Sequence, residues 1–391
     1  MQEQTKHKII ITCSPRMSPI VEEEVKALGF KNTSIHHQNV ELMGTFADTL
    51  RLNLYLRTAN RVLFEIDNFN VNTADELYKK VKKIRWDSIF DVDGYFSIKS
   101  YVKNDKILDP RFASLRAKDA IADYFMEKYD RRPNSGKDLS QTVLFLHWHE
   151  HEAAIYIDTS GETIAKHGYR KIPMKAPMME SLAAGTILAS AWDQKSHFIN
   201  PMCGSGTLAI EAALIAKRKF LNINRENFGF MHVNYYNADI WERMKQEAAV
   251  LEVKELPFKI IATDLNPAAI VAARQNALAA GVEELIEFKT CDFRDTPLPE
   301  DEKGVIFINP EYGQRLGEEK ALEKTYQEIG DFFKQKASGY FGYIFTGNLN
   351  LAKRIGLRTK RRIEFFNAKI DCRLLEYELY AGTKKSGKLD K

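Results

Sequence analysis

The 391-residue chain reads as an α/β protein whose C-terminal half is a doubly wound, mostly parallel sheet. Three observations predict it. From about residue 175, short apolar runs alternate with helical patterns. A glycine-rich turn, NPMCGSGT at 200–207, separates the first of these runs from its helix. The last apolar runs, in RRIEFFNAKIDCRLLEYELY (361–380), lie too close together to hold a crossover helix, which predicts an antiparallel hairpin at the sheet edge.

Residues 8–65 read as a small α/β unit. KIIITC is a strand, and SPIVEEEVKALGF a helix with apolar positions at helical spacing, ending at Gly29. VELMGTF is a second strand, and FADTLRLNLYLRTANRVLFEI a helix running into a third. A second unit follows to about 160. TADELYKKVKKIRW is helical with basic spacing, YFSIKSYV a strand and ASLRAKDAIADYFMEKY a long amphipathic helix. TVLFLHWHE and AAIYIDTS form a hairpin around a polar turn. In the C-terminal half, SHFINPMC, KIIATDL, IEFKTCDF, GVIFINP and GYFGYIFTG supply five buried strands. TLAIEAALIAKRKF and PAAIVAARQNALAAG, the latter with Pro267 near its start, are the helices behind the first two. The insertion between Phe220 and Lys259, with Trp241 and a helical WERMKQEAAVLEV, has no role legible in its residues.

Composition narrows the function. Apolar content of 44% and charged content of 28% are those of a soluble globular protein, and a net charge of +4 does not by itself announce a nucleic-acid binder. Cys13, Cys203, Cys291 and Cys372 form no CxxC pair, which argues against a zinc site or disulfide framework and fits a reducing cytoplasm. Near the N-terminus, three consecutive isoleucines are too short for a signal-peptide core, and no apolar run approaches the ~20 residues of a membrane span.

The chemistry sits at strand ends. Gly204 and Gly206 permit a tight turn and close backbone approach to a ligand at a helix N-terminus, and with Ala209 they satisfy a G-x-G-x-x-A pattern. Asp264 in ATDLNP stands where a ribose hydroxyl pair would be gripped, and Asp292 with Phe293 ends the third strand. Asp264 ahead of Pro267 also reads as a helix cap. At the fourth strand end stands FINPEYGQRLG (307–317). An exocyclic aromatic amine is a poor nucleophile because its lone pair is delocalised into the ring. Asn309 Oδ1 and the Pro310 carbonyl can accept its two N–H protons and let the nitrogen pyramidalise, while Tyr312 stacks on the ring. The bland alternative is a turn built on Pro310 and Gly313.

These residues resemble class I S-adenosylmethionine-dependent methyltransferases of the N-P-P-Y type. NPMCGSGTLAIEAA, ATDLNPAAI, INPEYGQRLGE and FFNAKIDCRLLEYELY carry the likeness. With RLNLYLRTANRVL, RAKDAIADYF and IDTSGETIAKHGYRKIPMKAPMMESLAA, the whole chain resembles THUMP-containing RNA guanine-N2 methyltransferases, the bacterial large-subunit rRNA enzymes in particular. The resemblance implies a ferredoxin-like domain at 1–60, a THUMP RNA-binding domain at 61–160 and a Rossmann-like, seven-stranded methyltransferase domain at 161–384. A basic tail at 385–391 is expected to be frayed. The implied cofactor is S-adenosylmethionine, held by Asn200, Cys203, Gly204, Gly206, Asp264, Leu265, Asp292 and Phe293. The implied catalytic residues are Asn309, Pro310 and Tyr312, with Glu311, Arg315 and Arg170 toward substrate. Ribosomal RNA is the expected partner, with tRNA as the runner-up, and neither a metal nor a membrane is implied.

Two departures stand out. Asn200 replaces the family's usual Asp, and Glu311 replaces the second proline, which would have held residue 310 extended. Glu311 therefore either reads the guanine N1–H and N2–H edge or turns to Arg315; the rival expectation is a catalytically silent RNA-binding or ribosome-assembly factor. A nicotinamide dehydrogenase fits the glycine pattern but leaves Asn-Pro-x-Tyr unexplained. His147, His149 and His151 would share one face of a strand and invite a metal, although a solvated hairpin tip is the plainer reading. The basic run from Lys353 to Arg362 reads equally as a solvated face or a phosphate contact.

Overall fold

The computed structural model describes residues 5–105, 109–174, 177–313 and 318–380. The chain divides into two compact units, one of residues 1–167 and 220–250, the other of 168–219 and 251–391.

The first unit is built on one sheet. Its strands are β1 (His7–Cys13), β2 (Ser34–Ile35), β3 (Asn39–Gly44), β4 (Ala59–Asn70), β5 (Tyr95–Lys103), β6 (Asn134–Gly136), β7 (Thr142–His149) and β8 (Glu152–Asp158), in the order β2-β3-β1-β4-β8-β7-β5-β6. Period-two alternation buries Ile9, Ile11 and Cys13 of β1 on one face and leaves Lys8, Ile10 and Thr12 on the other. The first four strands, with helices Ser18–Ala27 and Phe46–Tyr55, form a ferredoxin-like βαββαβ arrangement. Thr45 starts the second helix with a capping box to Asp48. β4 is long enough to pair with β1 through Ala59–Phe64 and with β8 through Leu63–Asn70. The expected boundary at 60/61 thus falls inside a strand, and the ferredoxin-like and THUMP parts share a continuous sheet.

The insertion after Phe220 belongs to this first unit. Its Phe230 N–H donates to Thr159 O at 3.0 Å, and Arg225 Nη2 donates to the carbonyls of Ser160 and Glu162 at 2.9 and 3.0 Å. Trp241, fully buried on helix Ala238–Val250, packs edge-on to Phe228 and Phe230. Residues 161–167 also group here rather than with the methyltransferase domain expected from 161.

The second unit holds β9 (Phe198–Pro201), β10 (Ile260–Asp264), β11 (Ile286–Thr290), β12 (Val305–Ile308), β13 (Phe341–Thr346), β14 (Arg361–Asn367) and β15 (Ile370–Glu378). Their order is β11-β10-β9-β12-β13-β15-β14. β9 to β13 are parallel, and β15 runs antiparallel to both neighbours. The predicted hairpin is present: β15 lies between β13 and its hairpin partner β14, and β14 forms the sheet edge. Phe198, Phe307 and Tyr343 stack across the three central strands at centroid spacings of 5.0 and 4.5 Å. The chain winds outward from β9 in one direction and from β12 in the other. Their carboxyl ends therefore flank the switch point, where open α/β sheets bind ligands. Among the described residues no helix is long and apolar enough to cross a membrane.

Candidate active site

The turn after β9 is held by backbone geometry. Gly204 and Gly206 have φ of 54° and 83°, and Met202 shares the left-handed region at 55°. A Cβ on Gly206 would meet the Ala273 Cβ at 2.9 Å, whereas one on Gly204 would meet nothing within 4 Å. Gly206 is thus fixed by packing of the turn against helix Pro267–Ala280, and Gly204 faces open space. The Cys203 N–H donates to Thr263 O, and the Gly204 N–H donates to Asp264 Oδ2, both at 2.9 Å. Asp264 Oδ1 accepts the Asn266 N–H. The cap of the next helix is Asn266, not Asp264, so the capping alternative for Asp264 is set aside. Leu265 beside it is 71% exposed.

Asp292 accepts the Arg294 N–H and forms a two-pronged ion pair with its guanidinium, which holds the carboxyl below the usual carboxylate range. The Phe293 side chain turns the other way and packs edge-on to Phe332 in the core. Of its groups, the backbone remains for the cofactor contact expected there.

Two side-chain amides stand at the switch point, Asn200 near the end of β9 and Asn309 just past β12. Asn200, 1% exposed, donates from Nδ2 to Phe307 O at 2.8 Å, tying β9 to β12. Among the described residues its Oδ1 is buried without a hydrogen-bond partner, and so is Asn309 Oδ1, just past the end of β12. Pro310 is buried and Glu311 exposed. The Glu311 carbonyl accepts from Tyr326 Oη at 3.3 Å. Tyr312 is held at both ends: Asn348 Nδ2 donates to its carbonyl at 3.3 Å and Asn367 Nδ2 to its hydroxyl at 2.9 Å. Burial pushes its phenol up to about 12, so it stays protonated. Asn348 and Asn367 had no visible part in the sequence. Both are far from the loop along the chain, and their only signals were a helix-capping position and a hairpin turn. Arg315 lies outside the described residues.

Arg170 is placed differently from the expected substrate contact. Its guanidinium donates to Glu180, Ser205 Oγ, Thr207 Oγ1 and the Met178 carbonyl, which uses its fork to brace the glycine turn. Tyr169 is buried, and its hydroxyl donates to Glu211 at 2.8 Å. Asn276, unread in the sequence, clamps the same segment by accepting the Lys171 and Ile172 N–H groups and donating to the Ser205 carbonyl.

In the basic run, Arg354 pairs with Glu323, Lys360 with Glu378 and Arg361 with the buried Glu376, so much of its charge is neutralised within the domain. His147 and His149 line a broad concavity of about 1280 Å³ on the open face of the first sheet, without His151. No group of three potential ligands able to hold a metal occurs among the described residues.

A sheet of this order, with a glycine turn on its first strand and an Asn-Pro-x-Tyr loop on its fourth, defines a Rossmann-like methyltransferase. More narrowly, the chain belongs to the RMKL-like methyltransferase family, whose domain matches residues 167–376, together with an RlmL ferredoxin-like domain at 8–63 and a THUMP domain at 71–158. Relatives named ribosomal RNA large subunit methyltransferase K/L are 33% identical over 95% of this chain in Syntrophotalea carbinolica and 36% over 93% in Psychromonas ingrahamii. The chain spans about half the length of these two relatives, 53% and 49%. A solved structure described as a possible methylase from Clostridium difficile matches with 28% identity and a TM-score of 0.86, over 97% of this chain and all of the other. SMU.472, crystallised with S-adenosylhomocysteine (SAH), shares the fold at a TM-score of 0.86 and 24% identity, over 98% of this chain and all of the other.

Proposed function

We propose that this chain is an S-adenosylmethionine-dependent RNA methyltransferase acting on guanine N2 in large-subunit ribosomal RNA. The supporting observation is Asn309 Oδ1, an acceptor closed off from water and unpaired at the switch point of a methyltransferase sheet. Leaving such an oxygen unsatisfied costs about 1–3 kcal/mol, a cost that an incoming N–H donor removes. A base amine has such donors.

The cofactor fits the residues present. Gly204 leaves open space before the turn, Leu265 offers an exposed apolar surface to the adenine, and the buried Asn200 Oδ1 awaits a donor such as the methionine ammonium. Asp264 is the proposed ribose contact, and Asp292 with the Phe293 backbone the adenine contact. When bound, S-adenosylmethionine supplies an electrophilic methyl group. The chain's part is positioning. Asn309 Oδ1 and the Pro310 carbonyl accept the two amine protons, which localises the nitrogen lone pair; one proton later passes to water. The Tyr312 ring holds the plane of the base, with its hydroxyl anchored by Asn367. Glu311, exposed beside them, reads the guanine edge or pairs with Arg315. A paired guanine must first be flipped out, at a cost of a few kcal/mol. The first unit, residues 1–167 with 220–250, is the proposed RNA-capturing arm, and the second unit the catalytic part.

The test is transfer from radiolabelled S-adenosylmethionine to total RNA, sized on a gel. Label in large-subunit rRNA that Asn309→Ala abolishes is expected. Label in tRNA would favour the tRNA reading. The Glu311 substitution keeps a silent RNA-binding factor as the second reading, and RNA binding by an inert wild type that Glu311→Pro revives would establish it.

A further inference from the structure

A cavity of about 420 Å³ in the first unit has no part in the reading above, and its volume is that of a small-ligand pocket. Phe46, Phe64, Tyr235 and Tyr236 wall it, and Arg85 and Asn237 stand among its polar groups. Tyr235 and Tyr236 come from the insertion, whose residues alone show no role. Phe46 and Tyr235 meet edge-on at 5.5 Å. The Asn234 N–H donates to Ile89 O at 2.7 Å and its Nδ2 to Asp87 O at 3.2 Å, clipping the insertion to the turn that carries Arg85.

One guanidinium, that of Arg85, lines this cavity. Helix Ala74–Lys82 ends in the run KKVKKIR, and Arg85 closes it. Lys82 pairs with Glu127. Lys79, Lys80, Lys83 and Arg85 are exposed, with no carboxylate within ion-pair distance among the described residues. The carboxylate on the wall, Glu65, accepts from Tyr156 Oη at 3.4 Å. An aromatic recess with an exposed arginine on its wall complements an unpaired nucleotide, with the base in the recess and a flanking phosphate on Arg85. A duplex hides its bases and cannot enter such a recess.

We infer that this cavity is a second RNA site, which takes an unpaired base of the substrate and holds a flanking phosphate on Arg85. The inference rests on the RNA reading above and gives the insertion a purpose: it completes the pocket.

Fluorescence anisotropy on the full chain with a short single-stranded RNA and a blunt duplex of equal length tests it. Tyr235→Leu is expected to weaken single-strand binding roughly five- to hundred-fold and to leave the duplex unchanged. Arg85→Gln, at an exposed and unpaired position, is expected to weaken binding and to lower the slope of log affinity against log salt by about 0.7. It is also expected to raise KM for RNA at unchanged kcat. Wild-type affinity and salt slope in both variants, or equal losses on duplex and single strand, would overturn the inference. RNA binding that needs Tyr235 and Arg85 in a wild type that transfers no methyl group would keep the pocket and sink the methyltransferase reading alone.

Discussion

Asn367 Nδ2 donates a hydrogen bond to Tyr312 Oη across 2.9 Å, joining the β14–β15 hairpin to the loop that follows β12. The second donor, Asn348, holds the same tyrosine by its carbonyl. The loop is thus positioned by residues on two other elements rather than by its own sequence. A proline at 311 would have stiffened it from within.

This bond predicts a coupling. Tyr312→Phe and Asn367→Ala should each cost about 1 kcal/mol of stability, and the double variant little more than either. Single-turnover transfer should fall by similar factors in both. Additive losses in the double-mutant cycle would show that the two residues act separately. Because burial pushes the Tyr312 phenol up to about 12, its ionisation should leave the rate unchanged through pH 10.

Asn200 bridges the two central strands with a donor, so Asn200→Asp should replace its bond to Phe307 O with a carboxylate facing a carbonyl. A loss of about 1–3 kcal/mol by chemical denaturation is expected. Unchanged stability would mean that this bond contributes nothing.

The glycine turn separates packing from binding. Gly206→Ala should cost roughly 1–3 kcal/mol, since its Cβ would collide with Ala273. Gly204→Ala carries only the left-handed backbone penalty of about 1–2 kcal/mol, yet it fills the open space before the turn. Calorimetry should therefore show a larger loss of S-adenosylmethionine affinity for Gly204→Ala than its stability loss explains.

Asp292 predicts an acid-sensitive contribution. Its folded carboxyl lies below the unfolded value through the side-chain bonds from Arg294. The stability it adds is present above the unfolded value of about 3.9 and is lost as pH falls through the folded one. Melting temperatures of wild type and Asp292→Asn should converge on acidification below about pH 4. A gap that stays constant to low pH would contradict this linkage.

Much of this was legible beforehand because it is periodic or local. Alternating strands and helices, the glycine turn and the short β14–β15 link each follow from adjacent residues. What escaped depends on distant partners. The span of β4 across a presumed boundary, the place of the insertion and the spending of Arg170 on Glu180, Ser205 and Thr207 involve pairings that no local pattern encodes. β2 and β6, of two and three residues, are too short for alternation to show. The inward turn of Phe293 was hidden because an aromatic beside a strand end fits core and ligand equally.

The buried Asn309 acceptor is tested most directly by measuring single-turnover methyl transfer and melting temperature together for Asn309→Ala. The rate should fall roughly 10²–10³-fold. The melting temperature should hold or rise, because an unsatisfied buried oxygen is removed. A rate near that of the wild type, or a rate loss matched by unfolding, would contradict the role given to this side chain.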